Sequence, residues 1–236
     1  FKWHTVAWGL HGRAAVIDWG YCVGLEEIEN RLLRGTSPHA DGGLPLRPIF
    51  TLVDSGDGNV TEAVYALCRR MSASGVRVLP CKGSSTSGFP EAYKLSNLEE
   101  DERPGNRRRK IHAGGVALCV VNTERSQQWL ERQLSGLTRD QEDRLTIPAE
   151  AMLDFEYLDE LANECKTHGR WIKRGPNDFR DALRYAWAAA NMVTNHGKYW
   201  DRLPERKQSG SAHEEHASRE RKANPFTTGG DRKSVV

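Results

Sequence analysis

The chain has 236 residues, 38% of them hydrophobic and 28% charged, with a formal net charge of +2. This is an ordinary water-soluble composition, long enough for one large domain or a domain plus a tail. The near-neutral charge means that nucleic-acid binding has to come from local patches, and no apolar run is long enough to span a bilayer or to form a signal peptide. The five cysteines (Cys22, Cys68, Cys81, Cys119 and Cys165) are scattered, form no CxxC pair and are odd in number. That argues against a disulfide framework or a structural zinc and suits small buried hydrophobes in a reducing compartment.

In chain order, Phe1 to Gly9 is rich in aromatic and β-branched residues, His11-Gly12 follows as a turn, and Arg13 to Val23 is a second strand-like run. Together they predict an antiparallel hairpin. Leu25 to Leu33 has helical apolar spacing, and Gly35 to Pro48 is a Gly/Pro-rich loop. Ile49 to Val53 reads as a buried strand that ends at Asp54. A Ser-Gly-Asp-Gly turn then leads to Thr61, which opens an amphipathic helix carrying Val64, Tyr65, Leu67 and Cys68. Asp54 is thus expected at the carboxyl end of a strand, where open α/β sheets place their ligand sites. Such a carboxylate can hold a divalent metal or make an Asx-turn with its own backbone.

Val76 to Pro80 predicts a short strand with Lys82 at its carboxyl end, beside Gly83 and two hydroxyls. There Lys82 can receive a phosphate or stay solvated. If the strand lies parallel to that of Asp54, both residues share one sheet edge. Glu91 to Lys110 reads as a long exposed loop ending in Arg107-Arg108-Arg109-Lys110, a run able to grip a phosphodiester backbone or to form a solvated face. Val116 to Val121 is a strand, and Thr123 to Leu134 a helix capped by Thr123. Asp143 to Pro148 is a short strand, Asp154 to Lys166 an amphipathic helix, and Trp171 to Lys173 an extended piece. Pro176 and Asn177 mark the start of a last helix, nearly apolar on every side from Ala182 onward and therefore buried. Asp178 and Asp181 share one of its faces. Asp181 enters the core and needs a partner: a metal, Arg180, Arg184 or a capping N–H, unless the two acids simply complement the helix dipole. Residues 1–196 form the expected domain. From 197 to 236 the chain is charged and poor in apolar residues, which predicts a disordered or partner-dependent tail. His213 and His216 lie in that tail with no apolar helix to support a metal site.

A hairpin leading into parallel strands, with acids on a strand end and on a late helix, is the plan of an α/β protein with an RNase H-like mixed sheet flanked by helices. In that plan carboxylates distant in sequence converge on two divalent ions.

Four segments carry a resemblance: Trp8 to Gly24; Val53 to Tyr65; Val78 to Ser85; and Asn177 to Ala189, which reads Asn-Asp-Phe-Arg-Asp-Ala-Leu-Arg-Tyr-Ala-Trp-Ala-Ala. In this order and spacing the chain resembles the nuclease domain of the large terminase subunit of tailed bacteriophages, in the lambda-like gpA group. The resemblance implies an endonuclease dependent on Mg²⁺ or Mn²⁺ that cuts concatemeric viral double-stranded DNA during packaging. It implies Asp54 and Asp181 as metal ligands, Asp178 beside them, and Lys82 at the scissile phosphate. The implied partners are DNA, the small terminase subunit and the portal of the procapsid, in the host cytoplasm. It also places the family's first catalytic Asp on a strand upstream of Phe1, so this fragment is expected to lack one metal ligand and a sheet partner. No GxxxxGK[ST] motif occurs, so ATP is expected to serve only a motor domain outside this chain. Two other readings stay open: a catalytically incomplete DNA- or portal-docking module of the same fold, and another RNase H-like nuclease of the resolvase or integrase type.

Overall fold

The computed structural model describes residues 1–35, 46–84, 89–96, 116–135, 145–198 and Trp200. β1 (Lys2–Trp8) and β2 (Ala14–Tyr21) form the expected antiparallel hairpin, with a bulge between Thr5 and Val6. Its connection is a single 3-10 turn in which His11 and Gly12 take φ values of 56° and 79°. α1 (Leu25–Arg34) follows, its first turn acidic and its last turn basic, as the helix dipole favours.

β3 (Thr51–Asp54), β4 (Val78–Ser84), β5 (Tyr93–Ser96) and β6 (Leu118–Asn122) build a four-stranded sheet in the order β3-β4-β6-β5. β3, β4 and β6 run parallel and β5 antiparallel, so the sheet is mixed, as expected. α2 (Thr61–Ala73) covers one face, where Val64, Leu67, Cys68 and Met71 bury against Val53 and Val78. α5 (Asp178–Val193) covers the other, where Tyr185 and Ala188 meet Cys81, Cys119 and Val121. Phe179 and Leu183 of α5 also join a second cluster, with Ala14 and Val16 of the hairpin, Trp129 and Leu130 of α3 (Thr123–Leu134), and Tyr157 and Leu161 of α4 (Phe155–Ala162). α5 therefore buries two faces at once, which is why its sequence is apolar almost all round. Among the described residues no helix is long and apolar enough to cross a membrane.

The structure departs from the sequence reading in four places. The stretch taken as loop from Glu91 contains the edge strand β5, while residues 97–115, with the Arg107–Lys110 run, lie outside the described residues. The strand expected at 143–148 reduces, in its described part, to one bridge: Thr146 exchanges backbone hydrogen bonds with Ala14 and Val16, each 2.9 Å long. The helix expected to run to Lys166 stops at Ala162, and Glu164–Thr167 (β7) instead pairs with Arg170–Lys173 (β8). The two-residue turn between them, His168 and Gly169, has φ values of 49° and 78°, the left-handed pair that a tight hairpin needs. α5 begins directly after Pro176 and Asn177, as expected, though no side-chain cap comes from Asn177; the amide of Phe179 donates to Glu160 Oε2 of α4 at 3.0 Å. The fourth departure concerns Thr123, which does not cap α3. Asn122 does, its Oδ1 accepting from the Arg125 amide at 3.1 Å. The Asn122 amide group also donates to the carbonyls of Phe89 at 2.7 Å and Glu91 at 3.2 Å, so one buried side chain fastens both a helix start and the approach to β5. The tail from 201 onward lies outside the described residues.

Removing that side chain takes away a cap and leaves two backbone carbonyls short of a donor. Asn122→Ala is expected to lose about 1–3 kcal/mol of stability, and Thr123→Ala no more than about 0.5 kcal/mol. Urea denaturation of the two variants beside the parent measures both. Equal losses would return the cap to Thr123.

Candidate active site

The site grows from the carboxyl end of β3. Parallel pairing sets Asp54 opposite Cys81 of β4. The chain then turns sharply: the Ser55 amide and hydroxyl both donate to the Cys81 carbonyl, at 2.8 and 2.9 Å. Gly56 N donates to Asp54 Oδ1 at 2.9 Å, so Asp54 does make an Asx-turn. A Cβ at position 56 would stand 3.1 Å from that oxygen, and glycine keeps the approach open. Thr61 at the head of α2 ties the loop down through its hydroxyl, which reaches the carbonyls of Ser55 and Asp57 at 2.8 and 2.9 Å.

The second half comes from the first turns of α5. A groove of about 760 Å³ runs between β1, β3 and α5 and is lined by Asp54, Asp57, Asp178, Asp181 and Tyr185 among others. The structure thus brings Asp54, Asp178 and Asp181 to one groove. Asp181 is half-buried, with Oδ1 held by Arg184 Nη2 at 2.9 Å and by Asn177 Nδ2 at 3.4 Å. Of the partners the sequence left open for it, Arg184 is the one it meets.

Behind Asp181 lies a buried polar cluster. Glu164 Oε2, at the start of β7, accepts from Asn177 Nδ2 at 3.2 Å and lies 3.6 Å from both Arg180 Nε and Arg184 Nη1. Glu164 Oε1 accepts from the Gln127 amide. Arg180 also donates to the Leu161 carbonyl at 2.6 Å and to Glu131 Oε2 at 3.2 Å.

Burial pushes the Asp181 carboxyl up to about 6. Arg184 and Lys173 oppose this rise, and the negative charges of Glu164 and Asp54 add to it. Asp54 is raised as well, first because the surrounding protein strips it of water and then by repulsion from Asp178; the Gly56 and Ser55 amides and Arg184 pull the other way. Burial likewise raises the Tyr185 hydroxyl, and the charges of Asp54 and Asp181 contribute. The charge of Asp54 thus reaches Asp181 across 127 positions of sequence.

Lys82 follows Cys81 on β4 and pairs in register with Val120. Side chains alternate along a strand. Asp54 and Cys81 face α5, as does Gly83, where a Cβ would lie 3.8 Å from the Tyr185 hydroxyl. Lys82 accordingly belongs with Val78 and Pro80 on the face of α2, at the same edge as Asp54 but on the opposite side.

Oxygen-only donors suit a hard divalent cation, and a positive ion would relieve two carboxylates disfavoured as anions. Asn177 Oδ1, buried and without a hydrogen-bond partner, is a further oxygen beside Asp181. Among the described residues, however, no group of three or more His, Cys, Asp or Glu side chains gathers closely enough to hold a metal ion. The donor chemistry fits a cation; the three expected ligands share a groove without closing into a cage.

Sequence reasoning missed Glu164, placed inside a helix, and the role of Asn177, taken as a helix-start signal. A second His-Gly dipeptide at 168–169 is the signal that marks the β7–β8 hairpin and so the true position of Glu164.

Aspartates gathered at the carboxyl end of parallel strands, beside a late helix on a mixed sheet with helices on both faces, are consistent with the RNase H-like nucleases. Residues 1–200 match the family described as terminase large subunit gpA, endonuclease domain, and the chain belongs to that family. Comparison with curated proteins and with solved structures gave no match.

The raised Asp181 carboxyl sets a pH dependence. Between its ordinary 3.8 and about 6 the folded chain holds a proton that the unfolded chain has released. The associated stability is complete below that window and is lost as pH rises through it. Without divalent cations, Asp181→Asn should be more stable than the parent at pH 8, by on the order of 2 kcal/mol, with the gap closing toward pH 4. Urea melts at pH 4, 6 and 8 decide it; a variant less stable at pH 8 would show that the Arg184 pair outweighs the burial cost.

Proposed function

We propose that this chain is a metal-dependent endodeoxyribonuclease that cuts concatemeric viral double-stranded DNA as genomes are packaged, with Asp54 and Asp181 as the carboxylates that hold Mg²⁺ or Mn²⁺. One observation carries the reading: Asp54 at the end of β3 and Asp181 in the first turn of α5 line the same groove, and the charge of Asp54 helps to raise the Asp181 carboxyl. The match to a terminase endonuclease family supports the DNA substrate.

Cations held by these carboxylates would supply an attacking water of lowered pKa and a counter-charge for the leaving oxygen in a two-metal displacement. The chain's own part is positional. The Gly56 amide turns Asp54 toward the groove, Arg184 and Asn177 hold Oδ1 of Asp181, and Asp178 adds a third negative charge at the mouth. Lys82, across the sheet edge, takes the role of a phosphate contact that sets the path of the duplex. The Arg107–Lys110 run adds a basic grip on the backbone whose strength falls with salt. In the packaging machine the same reading assigns the small terminase subunit and the procapsid portal as partners, in the host cytoplasm. ATP hydrolysis belongs to a separate motor domain.

A second reading rests on the open arrangement of the acids and on Arg184 already occupying Asp181: the chain docks on DNA or the portal without cutting. Incubation of supercoiled plasmid with Mn²⁺ separates the two. The nuclease reading expects nicked and linear products that fall to background in Asp54→Asn, in Asp181→Asn and with EDTA. Salt-sensitive, metal-independent DNA binding without cleavage would establish the docking module, and undiminished cutting by Asp54→Asn would overturn the site assignment.

A further inference from the structure

We infer that Glu164 is a positioning residue that controls how firmly Asp181 holds a cation, by drawing Arg184 away from it. The inference rests on the reading of Asp181 as a cation ligand and goes beyond it to a residue on a different element.

Arg184 is buried and divided between two carboxylates, with Nη2 at 2.9 Å from Asp181 Oδ1 and Nη1 at 3.6 Å from Glu164 Oε2. A guanidinium that close to Asp181 competes with any cation for the same oxygen. Glu164 is its counterweight. The same Glu164 oxygen accepts from Asn177 Nδ2, the other group at Asp181 Oδ1, at 3.2 Å. Both contacts of the Asp181 carboxylate thus lead back to one buried carboxylate. Glu164 is itself fixed: Gln127 of α3 holds its second oxygen and Arg180, 1% exposed, stands 3.6 Å away. Three elements, α3, β7 and α5, therefore meet at Glu164, and it makes no contact with the groove. Neutralising it leaves Arg184 with one anionic partner in place of two. The guanidinium then pairs fully with Asp181 and the cation loses ground, as when a ligand's outer partner is removed.

The test is direct Mn²⁺ binding, followed by the loss of the free-ion electron paramagnetic resonance signal, with no DNA present. The variants are Glu164→Gln, Glu164→Gln combined with Arg184→Gln, Asp181→Asn, and Met71→Ala, in the core beneath α2, as a destabilised control outside the cluster. Glu164→Gln should bind Mn²⁺ about 10-fold more weakly than the parent, while Met71→Ala binds as the parent does. The double variant should recover affinity relative to Glu164→Gln, because the competitor has gone; a purely structural role for Glu164 predicts a further loss instead. Parent-like binding by Glu164→Gln, or a double variant weaker than the single one, overturns the inference while the site reading stands. If the parent binds no better than Asp181→Asn, the site reading fails and the inference fails with it.

Discussion

Buried guanidinium groups cannot be left unpaired, and most of this site follows from that constraint. α5 is wedged between a hairpin and a sheet, and its first two turns carry Arg180 and Arg184 into the protein, 1% and 5% exposed. Breaking one partner from such a cluster is costly, on the order of 3–5 kcal/mol. The fold therefore delivers carboxylates from three directions: Glu131 from α3, Glu164 from β7 and Asp181 from α5 itself. Because Asp181 is drawn into this pairing, its carboxylate is fixed at the groove before any ligand arrives. The groove's acidity and the core's positive charge are two sides of one arrangement.

The same arrangement shows where stability has been given up. Asp54 and Asp181 stand where loss of water and a neighbouring negative charge both disfavour their ionised forms, Asp178 acting on the first and Asp54 on the second. Nothing in the packing of the sheet requires them there, since Val53, Cys81, Val121 and Ala188 already fill the interior on either side. Acids that weaken a fold and crowd one groove point to a ligand of opposite charge, and the family assignment supplies the chemical context for one.

Much of this was legible from residue pattern alone. The hairpin, the parallel strands and the burial of α5 follow from periodicity, as do the places of Asp54 at a strand end and of Asp181 near the start of that helix; their reading as metal ligands rests on the family resemblance. What was not legible has physical causes. Leu158, Leu161 and Cys165 continue a helical spacing through the point where α4 stops, so local pattern favours helix while the left-handed pair at His168 and Gly169 demands a turn. Tyr93 to Ser96 makes an edge strand whose Lys94 and Leu95 are exposed, and exposure erases the alternation that marks a strand. Asn122 outcompetes Thr123 as a cap because its amide also satisfies two carbonyls some thirty residues upstream, a tertiary reason that no local rule contains. The side of the sheet on which Lys82 falls depends on register, which the sequence set only to within the sharing of an edge.

The thiols have a practical consequence. Cys68 and Cys119 are pushed up to about 12 by burial, and Cys81, wholly enclosed between sheet and α5, is raised well above the ordinary thiol range by the same cause. A thiol that neither ionises nor meets solvent does not react, so these three are silent toward an alkylating reagent while the sheet stays closed. Cys165 lies half-buried on β7, one residue from Glu164. The molecule thus carries two natural reporters: one that labels only on global opening, and one that registers local loosening of the strand behind the acidic groove.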